Sequence, residues 1–246
     1  PSTTAAVITG LVAASDLAKL AKDDANAKKY LAAADKYSSE LEKVLYTTNG
    51  LLNKSPSDGK YYLRVNPNED PNDRGLLGES NAQANVNEAE VIDAGFLELV
   101  RYGVRSPMNA EIQNSLPELD DTSLPDMVRV KYEFSFNGVE GKFPGWRRYG
   151  KDGYGEDTLS GRGYNATGKS IPEGRGRVWP IFTGERGHYE LAKASTSNTL
   201  NTENLNGLRN TYIKAMELFA NQGYMIPEQV WDGVGANDTY HFTDGQ

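Results

Sequence analysis

Glu228 stands in Gly223-Tyr-Met-Ile-Pro-Glu-Gln-Val-Trp-Asp232, directly behind Pro227. The proline ring fixes its own φ and restricts Ile226, so the carboxylate rises from a stiff, non-helical backbone. Gln229 and Trp231 flank it with an amide and a ring. A second dense segment is Trp146-Arg147-Arg148-Tyr149-Gly-Lys-Asp-Gly-Tyr-Gly-Glu156. There a guanidinium offers a planar fork to two hydroxyls and lowers the pKa of a neighbouring carboxylate. A third is Trp179-Pro-Ile-Phe-Thr-Gly-Glu-Arg-Gly-His-Tyr-Glu-Leu191, with Pro180 suited to a first helical turn and Glu185 and Tyr189 at i, i+4. Rings that stack on sugar faces, with carboxylates, amides and arginines that bond hydroxyls, suit a carbohydrate surface. On the residues alone, Glu228 reads first as a surface Glu after a loop proline, and the arginines equally as a solvated pair. His188, alone inside a helix beside Tyr189, reads as structural rather than as a base. Asn66-Pro-Asn-Glu-Asp-Pro-Asn-Asp73 is rich enough in oxygen donors for a structural Ca²⁺ but lacks the EF-hand spacing, and an ordinary polar loop fits it too. No other cofactor is expected, because phosphate-loop, dinucleotide, His-Glu-x-x-His and Gly-x-Ser-x-Gly motifs are absent.

The elements that must position these groups read as mostly helical. Thr4 to Ala21 has apolar residues at helical spacing, and Asp23-Asp24 breaks it. A second helix is expected from Ala25 to Thr47, with Gly50 as its stop. A short strand is expected at Tyr61 to Val65, inside a polar loop over 49–83. Further helices are expected at Asn87 to Tyr102 and at Met108 to Leu116, ended by Pro117. Met127 to Phe134 alternates like a strand leading into a hairpin around Asn137-Gly138. Residues 141–177 form a long Gly-rich loop of the kind that carries function. Val178 to Ala194 and Leu205 to Asn221 complete the helices, and the tail from Gly223 is irregular. Helical hairpins with long loops between them fit an α/α barrel segment, and periodicity alone equally allows a plain bundle.

The 246 residues carry 34 acidic and 26 basic side chains, a formal charge of −8. No basic stripe is present for nucleic acid, and the charge disfavours an anionic membrane. Cys is absent, which removes disulfides, thiolate metal sites and a cysteine nucleophile. No apolar run is expected to approach the roughly 20 residues of a membrane span. The chain opens on Pro1 and runs straight into a helical pattern, which reads as a start inside a longer protein ahead of the alternative, a removed signal peptide.

Taken in order, Val91 to Val104, Leu124 to Arg129, Arg147 to Glu156, Gly176 to Leu191 and Tyr224 to Asp232 resemble the bacterial glucoamylases and glucodextranases, family-fifteen glycoside hydrolases. The resemblance implies an all-α (α/α)6 toroid, here roughly its second half, with long loops and a small β-hairpin. It implies that all of 1–246 is the C-terminal portion of the catalytic domain. The general-acid segment would lie upstream of Pro1 and the last core helix beyond Gln246. A large apolar face would then meet the rest of the domain. Glu228 resembles the general base, and Arg148, or Arg147 in reserve, the arginine of the cleavage subsite. Trp179, Trp146, Tyr149 and Trp231 resemble pocket-wall rings. Glu185 is the second candidate for the base and a possible sugar contact. The implied activity is inverting, exo-acting release of β-glucose from non-reducing ends of α-glucans, with the fragment inactive by itself because both an acid and a base are required. The alternatives are a glucodextranase cutting α-1,6 links, a non-catalytic sugar-binding or assembly module, and an acidic all-α interaction domain. An extracellular or periplasmic setting is favoured over the cytoplasm.

Overall fold

The computed structural model describes residues 1–78, 85–131, 133–159 and 174–233. Helix α1 runs Ser2–Leu20 and α2 runs Asp24–Leu45. Between them Lys22 takes a left-handed φ of 59°, and the Asp23 side chain caps α2 by accepting the Asn26 N–H at 3.1 Å. The two helices form the expected hairpin. Their buried residues are mostly small, Ala5, Ile8 and Ser15 on α1 and Ala27, Ala34 and Leu41 on α2, and Ser15 Oγ donates to Ala27 O at 2.8 Å. One expectation is corrected here. The 19 residues of α1, at mean hydropathy 1.3, are long and apolar enough by composition to cross a membrane. Val7, Val12, Leu17 and Leu20 lie exposed on it, Leu20 by 82%, so α2 leaves part of its apolar surface uncovered.

Helix α2 stops two residues short of the expected Thr47. Tyr46–Thr47 (β1) instead pairs antiparallel with Tyr61–Tyr62 (β2), the first part of the expected strand. Leu63 continues as a single bridge to Ile92. That bridge also explains why Asn87 to Tyr102 is not one helix. Val91 and Ile92 are extended, and the chain makes two 3₁₀ turns, Glu88–Glu90 and Ala94–Phe96, before the short α3, Leu97–Arg101. Asn87 and Asp93 drive the breaks, because their side chains accept the Ala89 and Gly95 N–H groups at 2.9 and 2.6 Å. Helix α4 is Ala110–Asn114. Pro117 does not end the helical run but enters the first turn of α5, Leu116–Asp120, where its missing N–H is harmless.

The expected strand over Met127 to Phe134 reduces to one bridge, Arg129 to Trp146. The hairpin around Asn137-Gly138 is present, with Phe134–Phe136 (β3) against Val139–Phe143 (β4) and Gly138 at φ 74°. Inside the 141–177 stretch, Glu156–Asp157 (β5) pairs with Gly174–Arg175 (β6), and 160–173 lie outside the described residues. Helix α6 is Pro180–Thr196, entered through Trp179. The last helical run starts earlier than Leu205. It comprises α7, Thr202–Leu208, a π-helical turn over Arg209–Ile213, and α8, Lys214–Leu218. It packs on α6 at a glycine: a Cβ on Gly187 would stand 2.5 Å from Tyr212 Cβ. The main core gathers Tyr61, Tyr62, Leu63, Phe96, Leu99 and Trp146, among others. A second core places Phe134, Phe143, Val178, Phe219 and Val230 under the hairpin.

Candidate active site

Short extended segments joined by isolated bridges set the positions of the chemically interesting side chains. Residues 145–150 are the hub. Arg147 N–H donates to Val128 O at 2.8 Å and Val130 N–H to Gly145 O at 3.1 Å. On the other side Ala94 N–H donates to Arg148 O at 2.8 Å and Gly150 N–H to Ile92 O at 3.2 Å. Trp179 N–H reaches Trp146 O at 2.9 Å, and Val230 N–H reaches Val178 O at 2.8 Å. The Arg147-Arg148 pair, the Trp179 helix entry and the Glu228 segment are thereby tied into one backbone lattice.

Successive residues of an extended chain point to opposite faces, and the two arginines divide accordingly. Arg148 lies over the Trp179 ring at 4.8 Å, with Tyr149 at 4.6 Å and Tyr154 at 5.2 Å. Asp152, four residues on, receives both Nε and Nη2, the latter at 2.9 Å. Burial works against the guanidinium charge, but Asp152 outweighs it and holds the Arg148 pKa above the ordinary value. The Arg148 side chain keeps 17% of its surface exposed, with its plane set by a ring and a carboxylate. Arg64 covers the Tyr149 ring at 3.5 Å and pairs with Asp93 at 3.1 Å. Burial, and then the Asp152 charge, push the Tyr149 phenol well up.

Arg147 turns inward and is 3% exposed. Its Nε donates to Asp232 Oδ2 at 2.8 Å, and Arg177 Nη1 donates to Asp232 Oδ1 at 2.8 Å. A carboxylate with no exposed surface is thus clasped by two buried guanidiniums and anchors the chain four residues after Glu228. Gln229 adds a second anchor by accepting the Arg177 N–H at 2.8 Å. Glu228, one residue before the first of these ties, is exposed, and Trp231, between them, is half-buried.

Three candidates are buried and line no open wall. Trp146 is 3% exposed, packs on Tyr212 at 6.2 Å, and donates its indole N–H to Asp120 at 2.8 Å. It is a core residue, which corrects its reading as a pocket wall. Tyr149 has no exposed surface, so it underlies Arg64 and Arg148 rather than lining a free wall. Glu185 is 5% exposed and pairs with Arg101 at 2.9 Å across the contact between α3 and α6. Burial outweighs that partner and pushes its pKa up to about 7. His188 lines a cavity of about 270 Å³ between α6 and the π-helical turn, walled by Leu191, Leu208, Tyr212 and Met216. Asp152, Asp232, Arg177 and Arg64 were not singled out in the sequence. Only Asp152 left a signal, its i, i+4 spacing from Arg148. Among the described residues no three His, Cys, Asp or Glu side chains converge on a metal position.

Residues 1–240 match the family described as glycosyl hydrolases family 15. A curated glucoamylase from Clostridium sp. (strain G0005) is 36% identical over 235 residues, covering 96% of this chain and 28% of that protein. A crystal structure of a bacterial glucoamylase complexed with acarbose is similar at a TM-score of 0.72 and 34% identity, over 96% of this chain and 30% of that one. The chain therefore spans under a third of the length of these relatives. The expected architecture holds: the helices form part of an all-α (α/α)6 toroid.

Proposed function

The chain belongs to glycosyl hydrolase family 15, and from that premise we propose that it builds part of the catalytic domain of an exo-acting, inverting α-glucosidase. The product is β-glucose from the non-reducing ends of α-1,4-glucans. Glu228 is the general base. It removes a proton from a water that attacks the anomeric carbon on the face opposite the leaving oxygen, which inverts that centre. Its exposure leaves the carboxylate free to meet that water. Arg148 presents its fork to two hydroxyls of the terminal glucose, and the Trp179 ring receives the apolar face of the sugar. Inversion also needs a carboxylic acid to protonate the leaving oxygen. We assign that role to no residue of this chain, since Glu185 is committed to Arg101. The 246-residue chain by itself is expected to bind oligosaccharide and not to hydrolyse it.

The observation that carries this reading is the Arg148–Trp179 contact at 4.8 Å, one residue along the chain from the Val178–Val230 bridge that holds the Glu228 segment. The solved relative was complexed with acarbose, so acarbose is the probe. Titration followed by Trp fluorescence should saturate, and R148K should weaken affinity at least about tenfold because a point charge replaces a planar fork. Equal affinity in wild type and R148K would remove Arg148 from the sugar site.

A further inference from the structure

Away from Arg148 and Trp179, two carboxylates converge over a glycine. A Cβ on Gly75 would stand 2.8 Å from Glu88 Oε1 and 3.4 Å from Asp73 Oδ1. Glu88 is 1% exposed, its carboxylate stands close to the Asp73 carboxylate and the Gly75 N–H, and neither oxygen makes a hydrogen bond of regular geometry among the described residues. Asp73 is better served. Its Oδ1 accepts the Gly75 N–H at 3.0 Å, and its Oδ2 accepts the Asn68 amide. The backbone around the pair is fixed by regular bonds. Glu88 N–H donates to Gly75 O at 3.0 Å, Leu77 N–H to Val86 O at 2.9 Å, and Asn87 Nδ2 to Arg74 O at 2.8 Å.

A carboxylate is an acceptor only, and one buried against another without a donor is costly unless positive charge stands between them. That charge is either a shared proton or a cation. Burial, and then the Asp73 carboxylate, push Glu88 up to about 7, with Asp70 adding to the same push. Arg74 does not fill the gap, since its Nη1 donates to the Asp73 main-chain oxygen at 3.0 Å. We propose that Asp73 and Glu88 hold a Ca²⁺ ion over Gly75, with main-chain and amide oxygens of the 66–75 loop completing its shell. Ca²⁺ takes six to eight oxygen ligands in irregular geometry, and carbonyl and amide oxygens count among them. Two carboxylates with neutral oxygens suit an affinity on the order of 10⁻⁵ to 10⁻³ M. Such an ion would staple the polar loop to the turn Glu88–Glu90. From there Val91 and Ile92 lead to the Asp93–Tyr149 bridge beside Arg148. The inference is independent of the glycosidase reading.

The test uses the chain stripped of metal with a chelator. Tb³⁺ luminescence sensitised by tyrosine, displaced by Ca²⁺, reports occupancy, and thermal melts with Ca²⁺ or Mg²⁺ report stabilisation. The expected result is saturable Ca²⁺ binding with a raised Tm, weakened tenfold or more in both E88Q and D73N, with Mg²⁺ much less effective. D73N, on the more exposed side of the pair, carries the test if E88Q does not fold. A wild-type chain with no Ca²⁺ response, or variants that respond as it does, overturns the proposal in favour of the shared proton.

Discussion

Replacing Asp232 by Asn tests what anchors the Glu228 segment. Asp232 has no exposed surface, and its partners Arg147 and Arg177 have side-chain exposures of 4% and 1%. The amide keeps the shape and one acceptor oxygen, but it removes the charge and turns an NH₂ group toward guanidinium donors. Two buried cations then lose the carboxylate that they share. Breaking a buried ion pair on one side costs about 3–5 kcal/mol, because the remaining charge stays desolvated. Against a total stability of about 5–15 kcal/mol, that is a large fraction. In urea, with a slope of about 1–3 kcal/mol per molar, the midpoint should fall by about 1–5 M. Trp fluorescence suits the assay because Trp146 lies in the core and Trp231 beside the mutated residue. Repeating D232N in an Arg177→Met background should show a smaller loss, since one of the stranded cations is gone. A midpoint shift worth under about 0.5 kcal/mol, the level of an ordinary surface change, would refute the claim that this triad holds the segment.

Gly187→Ala should lower Tm, because its Cβ would stand 2.5 Å from Tyr212 Cβ; overpacking of about 1–3 kcal/mol exceeds the roughly 1 kcal/mol gained in helix propensity. A raised Tm would show that α6 and the π-helical turn have slack. Glu185, pushed up to about 7 by burial, binds a proton in the folded state across roughly pH 4.5 to 7 that the unfolded chain has released. Its contribution is therefore present at low pH and lost as pH rises through that window. E185Q, measured against wild type, should gain up to about 2–3 kcal/mol in relative stability between pH 5 and pH 8. A difference that does not change with pH would mean that Arg101 keeps Glu185 ionised throughout.

How much of this was legible in the sequence depended on how local each determinant is. The α1–α2 hairpin could be read because alanine-rich amphipathic spacing and a capping Asp act within one turn. The hairpin at Asn137-Gly138 was equally local. The run from Asn87 to Tyr102 could not be read correctly. Its apolar spacing suits a helix, but Ile92 bridges Leu63 and Asp93 bridges Tyr149, partners 29 and 56 residues away in the sequence numbering. Tyr46 and Thr47 left the helix for the same reason, to pair with Tyr61 and Tyr62. At the site, sequence narrowed the subsite arginine to two neighbours and preferred Arg148. The structure separates them through Asp232 and Trp179, which lie far along the chain. Trp146 was misread because ring type does not report burial. Its indole partner, Asp120, is 26 residues away.

The central claim is that Glu228 activates the hydrolytic water. The most direct measurement is the steady-state kinetics of E228Q on maltooligosaccharide in the complete enzyme containing this chain. The account predicts kcat lower by about three orders of magnitude with KM nearly unchanged, since the shape is kept and proton removal is lost. Turnover within a fewfold of wild type would place the base elsewhere.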